Sequence, residues 1–386
     1  MGRSKVSRRA FLGGMGLGIA LPALSLIAEG CAPAAPLPST AGEQRGGAAW
    51  EQEWAQLVEA AKREGSVTLF TTTAYGSRKW MDAFEAAFPG ISMEPVTLSS
   101  SDLLPPKIFK EREAGIFTFD VIIASAVIAT PRLVPFGALD PLRPLLFRPD
   151  VLDDTAWRDG FESGWVDNDR RWGYAMDERL GVWGIDTDQV REGEITQVTD
   201  LLNPKWKGRI IMQDPRAGAN YAQMAAVHLS AGEDVLRRLL VDQEPVFSRD
   251  TRQVVEGLVR GKFAIANNVT KSILQEFLDA GLAKNVRLIP VRNAMHVANA
   301  GAVWAANRAP HPNAAKLVVN WLLTKEGATV FCQASVNNSL RKDVAPIDLV
   351  SAPETGAPYF RSSLESSQPE LDKVQALING WLNIKN

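Results

Sequence analysis

Histidine and cysteine are scarce in this chain of 386 residues, which has three of the former and two of the latter. The histidines, at positions 228, 296 and 311, are too widely spaced in sequence to indicate a metal cluster, and none pairs with a cysteine. The sequence also lacks a Gly-x-Ser-x-Gly elbow, a phosphate-binding Gly-Lys-Ser/Thr loop and a dinucleotide-binding glycine fingerprint. No motif therefore points to a metalloenzyme, a serine hydrolase or a nucleotide-binding enzyme.

Positive charge is in short supply once the first thirty residues are set aside. Those residues hold four basic groups and one acid, so the remainder has 38 Lys and Arg against 43 Asp and Glu. No block of basic residues survives there, and the sequence predicts no nucleic-acid partner. No stretch after Ile27 is long and apolar enough to span a bilayer.

The first thirty residues have the composition of an export signal. A basic start containing Arg8 and Arg9 is followed by a mildly apolar, glycine-rich stretch over residues 11–27. Residues 7–12, SRRAFL, resemble the twin-arginine export motif, which is an address read by a receptor. We predict that residues 1–30 are a twin-arginine signal peptide rather than part of the fold.

Cys31 follows this signal directly, after Gly30. The pair resembles a bacterial lipoprotein processing site, which predicts that Cys31 carries a lipid anchor. Residues 31–49 are rich in Ala, Pro, Ser and Gly and are predicted to form a flexible tether. Cys332 then remains alone, so no internal disulfide is possible. We expect an exported protein, in the periplasm or anchored on the outer face of the cytoplasmic membrane.

Strand patterns alternate with helix patterns through the rest of the chain. Short apolar runs such as residues 66–70, 119–124, 210–212 and 263–266 are each followed by a polar turn and a helical pattern. This alternation predicts an α/β fold with mainly parallel sheets covered on both faces. Ligands of such sheets lie beyond the carboxyl ends of the strands, where helix N-termini offer free backbone N–H groups.

The candidate ligand-binding residues lie in the polar turns after these strands. They are Thr72, Thr73, Tyr75, Ser125, Asp214, Arg216, Gly218, Asn220, Tyr221, Asn267, Asn268 and Asn299. The alternative is that these are ordinary turns, because threonines also suit the continuation of a strand and asparagine favours turn conformations.

Seven stretches, taken in order and spacing, resemble the family-1 extracellular solute-binding proteins of bacterial ABC importers, especially the ferric-iron-binding branch. They are residues 57–65 (LVEAAKREG), 119–121 (FDV), 181–186 (GVWGID), 259–265 (VRGKFAI), 309–316 (APHPNAAK), 321–327 (WLLTKEG) and 340–344 (LRKDV). The resemblance covers nearly the whole mature chain.

The resemblance implies a type II periplasmic-binding-protein fold, in which two α/β lobes joined by crossover strands close over a ligand cleft. Residues 50–176 and 296–330 would form lobe one. Residues 177–295 and 331–386 would form lobe two. It also implies a monomer that delivers a small-molecule solute to an ABC permease in the cytoplasmic membrane.

The tyrosines depart from the ferric-binding pattern. Members of that branch place neighbouring tyrosines just after the strand that here ends at Asn268, where this chain has Val269 and Thr270. We therefore expect an anionic organic or phosphorylated solute and no cofactor, with the charge held by Ser and Thr hydroxyls, helix N-termini and Arg216. Ferric iron bound by Tyr75 and Tyr221 is the alternative. An exported enzyme is the alternative of another class.

Overall fold

The computed structural model describes residues 47–217, 220–294, 296–298, 301–353 and 359–382. The predicted signal peptide, Cys31 and the tether up to residue 46 lie outside the described residues, as do Gly218 and Asn299. Within the described ranges no helix is both long and apolar enough to cross a membrane.

The helices of the described ranges are numbered in chain order. They are α1 (Gly47–Glu64), α2 (Arg78–Ala87), α3 (Leu104–Glu113), α4 (Ala126–Leu133), α5 (Pro149–Leu152), α6 (Ala222–Ala231), α7 (Glu233–Arg237), α8 (Thr251–Val259), α9 (Lys271–Asp279), α10 (Pro312–Leu322), α11 (Lys325–Ser335) and α12 (Gln368–Leu382). Helix starts follow local chemistry. The side chain of Asp250 accepts hydrogen bonds from two backbone N–H groups of α8, and Pro312 occupies the first turn of α10.

The strands of the described ranges are likewise numbered in chain order. They are β1 (Ser66–Thr72), β2 (Ser92–Leu98), β3 (Val121–Ala124), β4 (Leu139–Asp140), β5 (Gly173–Ala175), β6 (Asp177–Leu180), β7 (Trp183–Asp186), β8 (Ile210–Gln213), β9 (Val246–Ser248), β10 (Ile265–Asn267), β11 (Val286–Ile289), β12 (His296–Ala298), β13 (Ala302–Ala306), β14 (Asn338–Ser339) and β15 (Phe360–Arg361).

Two large sheets share one strand order. In the first sheet the order is β2-β1-β3-β13-β4, with β5 also pairing with β13. In the second sheet the order is β9-β8-β10-β7-β11. In each sheet, three neighbouring strands run parallel to one another. The next strand in the sheet, β13 or β7, is antiparallel to them and comes from another part of the chain. The repeated order means that the strand-to-helix turns after β1 and β3 correspond to those after β8 and β10.

A third, small sheet joins the two. Its order is β14-β6-β12-β15, and its strands connect segments that belong to the large sheets. β6 lies between β5 of the first sheet and β7 of the second, while β12 lies between β11 of the second sheet and β13 of the first. The chain thus crosses between the sheets through this layer, which is called the crossover sheet below.

Each large sheet has its own hydrophobic core. The core of the first sheet includes Phe70, Ile122 and Trp304, and that of the second includes Ile185 and Met212. Separate cores on the two sheets are what an arrangement in two lobes requires.

The C-terminal part of the chain departs from the predicted lobe boundaries, which placed all of residues 331–386 in lobe two. Phe331 and Leu340 instead lie in the core of the first sheet, because α11 packs against α2. Leu371 and Val374 of α12 do lie in the core of the second sheet, because α12 packs against α6. The segment after residue 330 is therefore shared between the two cores.

Candidate functional site

A cleft with a volume of about 1040 Å³ lies where turns of both large sheets and residues of the crossover sheet come together. Its lining is rich in hydroxyl and amide groups. Among the lining residues are Thr72, Thr73, Tyr75, Ser77, Ser101, Ser125, Arg179, Gln213, Asn220, Gln223, Asn268, Thr270, Ser272, Ser362 and Ser363. Six of the residues predicted from the sequence are in this set: Thr72, Thr73, Tyr75, Ser125, Asn220 and Asn268.

The first sheet contributes the turns after β1 and β3. After β1 the chain turns tightly, with the N–H groups of Tyr75 and Gly76 both donating to the carbonyl of Thr72, at 2.9 and 2.8 Å. After β3, Ser125 occupies the N-cap of α4, and its side chain makes no capping hydrogen bond. The hydroxyl of Ser125 and the N-terminus of α4 thus both face a position that suits an acceptor group.

Tyr75 lies at the edge of the cleft but is itself buried. Its ring stacks on Phe331 with centroids 5.7 Å apart and planes inclined by 5°. Burial, reinforced by the nearby charge of Asp177, raises the pKa of the phenol well above its usual value. Tyr75 is therefore a neutral phenol at physiological pH in the ligand-free protein.

The second sheet contributes a cluster of interlocked amides. The side-chain amide of Gln213 donates to the carbonyl of Asn268 at 3.0 Å, and the amide of Asn268 donates back to Gln213 Oε1 at 3.1 Å. Asn220 accepts a further, longer bond from Asn268 at 3.4 Å. Asn268 has a φ of +53°, a conformation that asparagine adopts more readily than most residues. The network holds these amides in fixed orientations at the cleft wall.

Asn267 does not belong to the cleft lining. It is 1 % exposed, and its side-chain amide donates to Gln223 Oε1 at 2.6 Å. Gln223 in turn donates to the carbonyl of Ala294 at 3.2 Å and does line the cleft. Asn267 therefore lies behind the lining and orients Gln223, where the sequence predicted direct contact with the ligand.

Arg216 also lies outside the cleft lining, although it was predicted to bind the charge of the ligand together with hydroxyls and helix N-termini. Its guanidinium donates to both carboxylate oxygens of Asp214, at 2.8 and 3.0 Å. Arg249 also pairs with Asp214, at 3.3 Å. Burial raises the pKa of Asp214, but the hydrogen bonds and charge of these arginines outweigh it and hold that pKa below its usual value. The charge of Arg216 is thus neutralised locally.

Tyr221 turns away from the cleft as well. It precedes α6, is 3 % exposed and lies in the core of the second sheet. Burial and the charge of Asp372 raise the pKa of its phenol, while a hydrogen bond with Gln368 lowers it, and both of these partners belong to α12. Tyr75 and Tyr221 therefore do not line the cleft together.

Arg179 is a partly buried cation of the cleft that was not predicted from the sequence. It lies on β6 of the crossover sheet, is partly buried and lines the cleft. Across the described ranges, no acidic side chain lies within ion-pairing distance of it. By contrast, Arg252 and Glu276 at the cleft rim pair with each other at 2.8 Å. No candidate ligand-binding residue was predicted on this strand.

The surroundings of Arg179 are charged and buried. Asp177, two residues earlier on β6, is completely buried and accepts from the backbone N–H of Gly301 at 2.9 Å and from the amide of Asn337 at 2.6 Å. Burial raises the pKa of Asp177 from 3.8 to about 6, although the Gly301 hydrogen bond and Arg179 lower it. Lys271, also buried, pairs with Asp348 and donates to Ser351.

Ser362 and Ser363 are also cleft residues that the sequence did not reveal. They directly follow β15, far along the chain from the other lining residues. No periodic pattern in that stretch distinguishes them, because a strand of two residues is too short to show one.

No metal cluster is found among the described residues, in the sense of three or more His, Cys, Asp or Glu side chains able to hold one ion. The lining of the cleft offers phenol, hydroxyl and amide oxygens, together with the carboxylates of Asp250, Glu276 and Asp279.

No protein-family model matches the chain. Its fold is similar to that of iron-bound HitA from Pseudomonas aeruginosa, at 18% identity and a TM-score of 0.61, over 82% of this chain and 99% of that one. The fold is also similar to that of an ABC-transporter substrate-binding protein from Agrobacterium tumefaciens, at 16% identity and a TM-score of 0.65, over 83% of this chain and 94% of that one. AfuA from Actinobacillus pleuropneumoniae, with fructose-6-phosphate bound, is similar at 16% identity and a TM-score of 0.60, over 83% of this chain and 98% of that one.

These similarities confirm the predicted fold. The chain has the type II periplasmic-binding-protein fold, with two α/β lobes. At sequence identities this low, the structural similarity establishes the fold alone, and the ligand has to be argued from the residues of the cleft.

Proposed function

We propose that this protein is the solute-binding component of an ABC importer and that it captures a small anionic organic or phosphorylated solute. The fold supports the first part, because the similar structures include a substrate-binding protein of an ABC transporter and a periplasmic binding protein. Lobe closure over the solute would then present the closed form to a permease.

The position of Arg179 on the cleft is the observation that supports an anionic solute. This partly buried guanidinium forms no direct ion pair among the described residues, so its N–H groups are available to a ligand, although the charge of Asp177 lies nearby. The hydroxyl of Ser125 and the N-terminus of α4 lie on the same cleft and favour negative charge as well. A phosphate or carboxylate group would satisfy all three.

The amide cluster supports an organic solute rather than a bare anion. Gln213, Asn220 and Asn268 offer both donors and acceptors at fixed orientations, which suits hydroxyl or carbonyl groups of a ligand. AfuA, one of the similar structures, holds fructose-6-phosphate, a molecule with both an anionic and a polyhydroxy part. The cleft likewise offers a cation for an anionic group and amides for hydroxyl groups.

The remaining parts of the proposal concern export, membrane attachment, oligomeric state and the absence of turnover. We propose export by the twin-arginine route, a lipid anchor at Cys31 and action as a monomer. The similar structures are binding proteins, which supports binding without turnover.

Ferric iron is the second candidate. It is favoured by the iron-bound state of HitA and by the position of Tyr75 on the cleft. Loading the protein with ferric citrate would then produce a visible phenolate-to-iron band, which Tyr75→Phe abolishes. Tyr221→Phe is the matched control, since Tyr221 packs against α12 and should leave the band unchanged. A protein that stays colourless contradicts this candidate.

Calorimetric titration tests the main proposal. Fructose 6-phosphate serves as the anionic probe and fructose as its neutral counterpart. We expect binding of the phosphate ester alone, weakened at least about thirtyfold in Arg179→Ala, because loss of one partner of a desolvated charge pair costs roughly 2–5 kcal/mol. Lys79→Ala, at an exposed lysine on the same cleft, is the control and should change affinity less than about threefold.

Three results would count against the proposal. Equal affinity for fructose removes the requirement for an anion, and unchanged affinity in Arg179→Ala removes Arg179 from the site. Release of inorganic phosphate during the titration indicates an exported enzyme instead of a binding protein.

A further inference from the structure

The segment that follows the last gap in the described chain, residues 359–382, contributes two residues to the lining of the cleft. We call it the C-terminal strap. It contains β15, then Ser362 and Ser363, and finally α12. Both serines are almost fully buried, at 1 % and 4 % exposure, and both line the cleft.

The register of the crossover sheet relates Ser362 to Arg179. In β12, Ala298 is the partner of Arg179 on β6, and Val297 is the partner of Arg361 on β15. Ser362 directly follows Arg361, where β15 ends, so it lies next to the wall on which Arg179 is placed. Two strand spacings amount to about 10 Å. An arginine side chain extends far enough to reach an anion that also contacts Ser362.

Contacts with both lobes fix the strap just after the two serines. On the side of the first sheet, the N–H of Glu365 donates to the carbonyl of Val166 at 2.9 Å, and its carboxylate accepts from the N–H of Asn168 at 2.7 Å. On the side of the second sheet, Glu370 pairs with His228 of α6 at 2.6 Å. The strap is thus attached to both lobes, at Glu365 and at Glu370, a few residues after the two serines.

We propose that Ser362 and Ser363 are ligand-binding residues, and that the C-terminal strap forms a third wall of the site between the two lobes. Their hydroxyls donate to the same anionic group that Arg179 binds. This inference rests on the proposed function, since it assigns further contacts to the same anionic solute. It also means that bound solute contacts a segment attached to both lobes.

Calorimetry with fructose 6-phosphate and with inorganic phosphate tests the proposal on Ser362→Ala and Ser363→Ala. We expect at least one of the two variants to bind about tenfold more weakly than the wild type, because each hydrogen bond to a charged group contributes substantially to binding. Ser366→Ala is the matched control, since Ser366 lies on the same strap but is exposed, and it should bind as the wild type does. Thermal unfolding of all three variants checks that the fold is retained.

Two contrary outcomes are distinguishable. If the wild type binds a probe and both Ser362→Ala and Ser363→Ala bind it equally well, the strap is not part of the site and this inference is wrong, while the proposed function stands. If the wild type binds neither fructose 6-phosphate nor inorganic phosphate, the anionic class itself is wrong, and the inference falls with it.

Discussion

Asp177→Asn should make the protein more stable at neutral pH, and the gain should disappear in acid. Asp177 is fully buried on the crossover sheet, and burial is the largest influence that raises the pKa of its carboxyl from 3.8 to about 6. In the unfolded chain the same carboxyl titrates near its ordinary value. Between these two pH values the folded protein therefore holds a proton that the unfolded chain has lost, and acidification through this window stabilises the fold.

The size of the effect follows from the two pKa values. A tenfold difference in proton affinity corresponds to about 1.4 kcal/mol, so the step from 3.8 to about 6 corresponds to roughly 3 kcal/mol. That contribution is present below about pH 4 and is lost as the pH rises past about 6. Because an asparagine does not ionise, the unfolding free energy of Asp177→Asn does not decrease over this pH range for the same reason.

The hydrogen bonds around Asp177 decide how much of this gain is realised. The side-chain oxygen of the new amide can still accept from the N–H of Gly301. The new NH2 group faces Asn337, whose Oδ1 is buried with no hydrogen-bond partner among the described residues. Rotation of the Asn337 amide pairs these groups, so we expect a net gain of about 1–3 kcal/mol near pH 7.

Urea unfolding at a series of pH values, followed by tryptophan fluorescence, measures this directly. The quantity to plot is the unfolding free energy of Asp177→Asn minus that of the wild type. Other groups titrate alike in both proteins, so their contributions cancel. The difference should rise as the pH goes from about 4 to about 6 and stay level above it. A difference that is constant with pH refutes the reasoning.

Two further variants test the charges around the cleft. Lys271→Met removes the cationic partner of the partly buried Asp348 and should lower the unfolding free energy by about 1.5–3 kcal/mol, whereas Lys79→Met, at an exposed lysine, should change it by less than about 0.5 kcal/mol. Thermal or urea unfolding compares the two, and equal stabilities would show that this pair contributes nothing. Arg216→Ala should leave affinity for fructose 6-phosphate within about twofold, since Arg216 lies outside the lining of the cleft, and should lower the unfolding free energy by about 1–3 kcal/mol, since the buried Asp214 keeps only Arg249 as a partner. A loss of affinity above about tenfold in that calorimetric comparison would return Arg216 to the site.

The turns of the first sheet could be located from the sequence because strand and turn chemistry lie next to each other there. The apolar run before Thr72 and the one before Ser125 each end at hydroxyl residues followed by a helical pattern, and both turns line the cleft. The local preference for a turn and the tertiary topology of the sheet agree at these residues. Their positions in the cleft could therefore be predicted from the sequence alone.

The errors at Arg216 and Tyr221 have a common physical cause. Sequence position placed both near the end of β8, but it does not state which way a side chain points. The carboxylate of Asp214, two residues before Arg216, captures the guanidinium. Tyr221 is drawn into the core of the second sheet by α12, a helix almost 150 residues later in the chain.

Arg179 and Ser362 could not be assigned from the sequence because their role depends on the crossover sheet. β6, β12 and β15 are far apart in the chain and very short, so no periodic pattern connects them. Only the pairing of β12 with both β6 and β15 brings a cation and a hydroxyl to the same wall. Contacts of this kind are a product of tertiary topology.

Native mass spectrometry of the protein purified without refolding tests the central claim most directly. The account predicts a retained small molecule that carries a phosphate or carboxylate group, is released chemically unchanged and is lost from Arg179→Ala. A retained neutral or cationic molecule, or an anionic one that Arg179→Ala retains equally well, would contradict it.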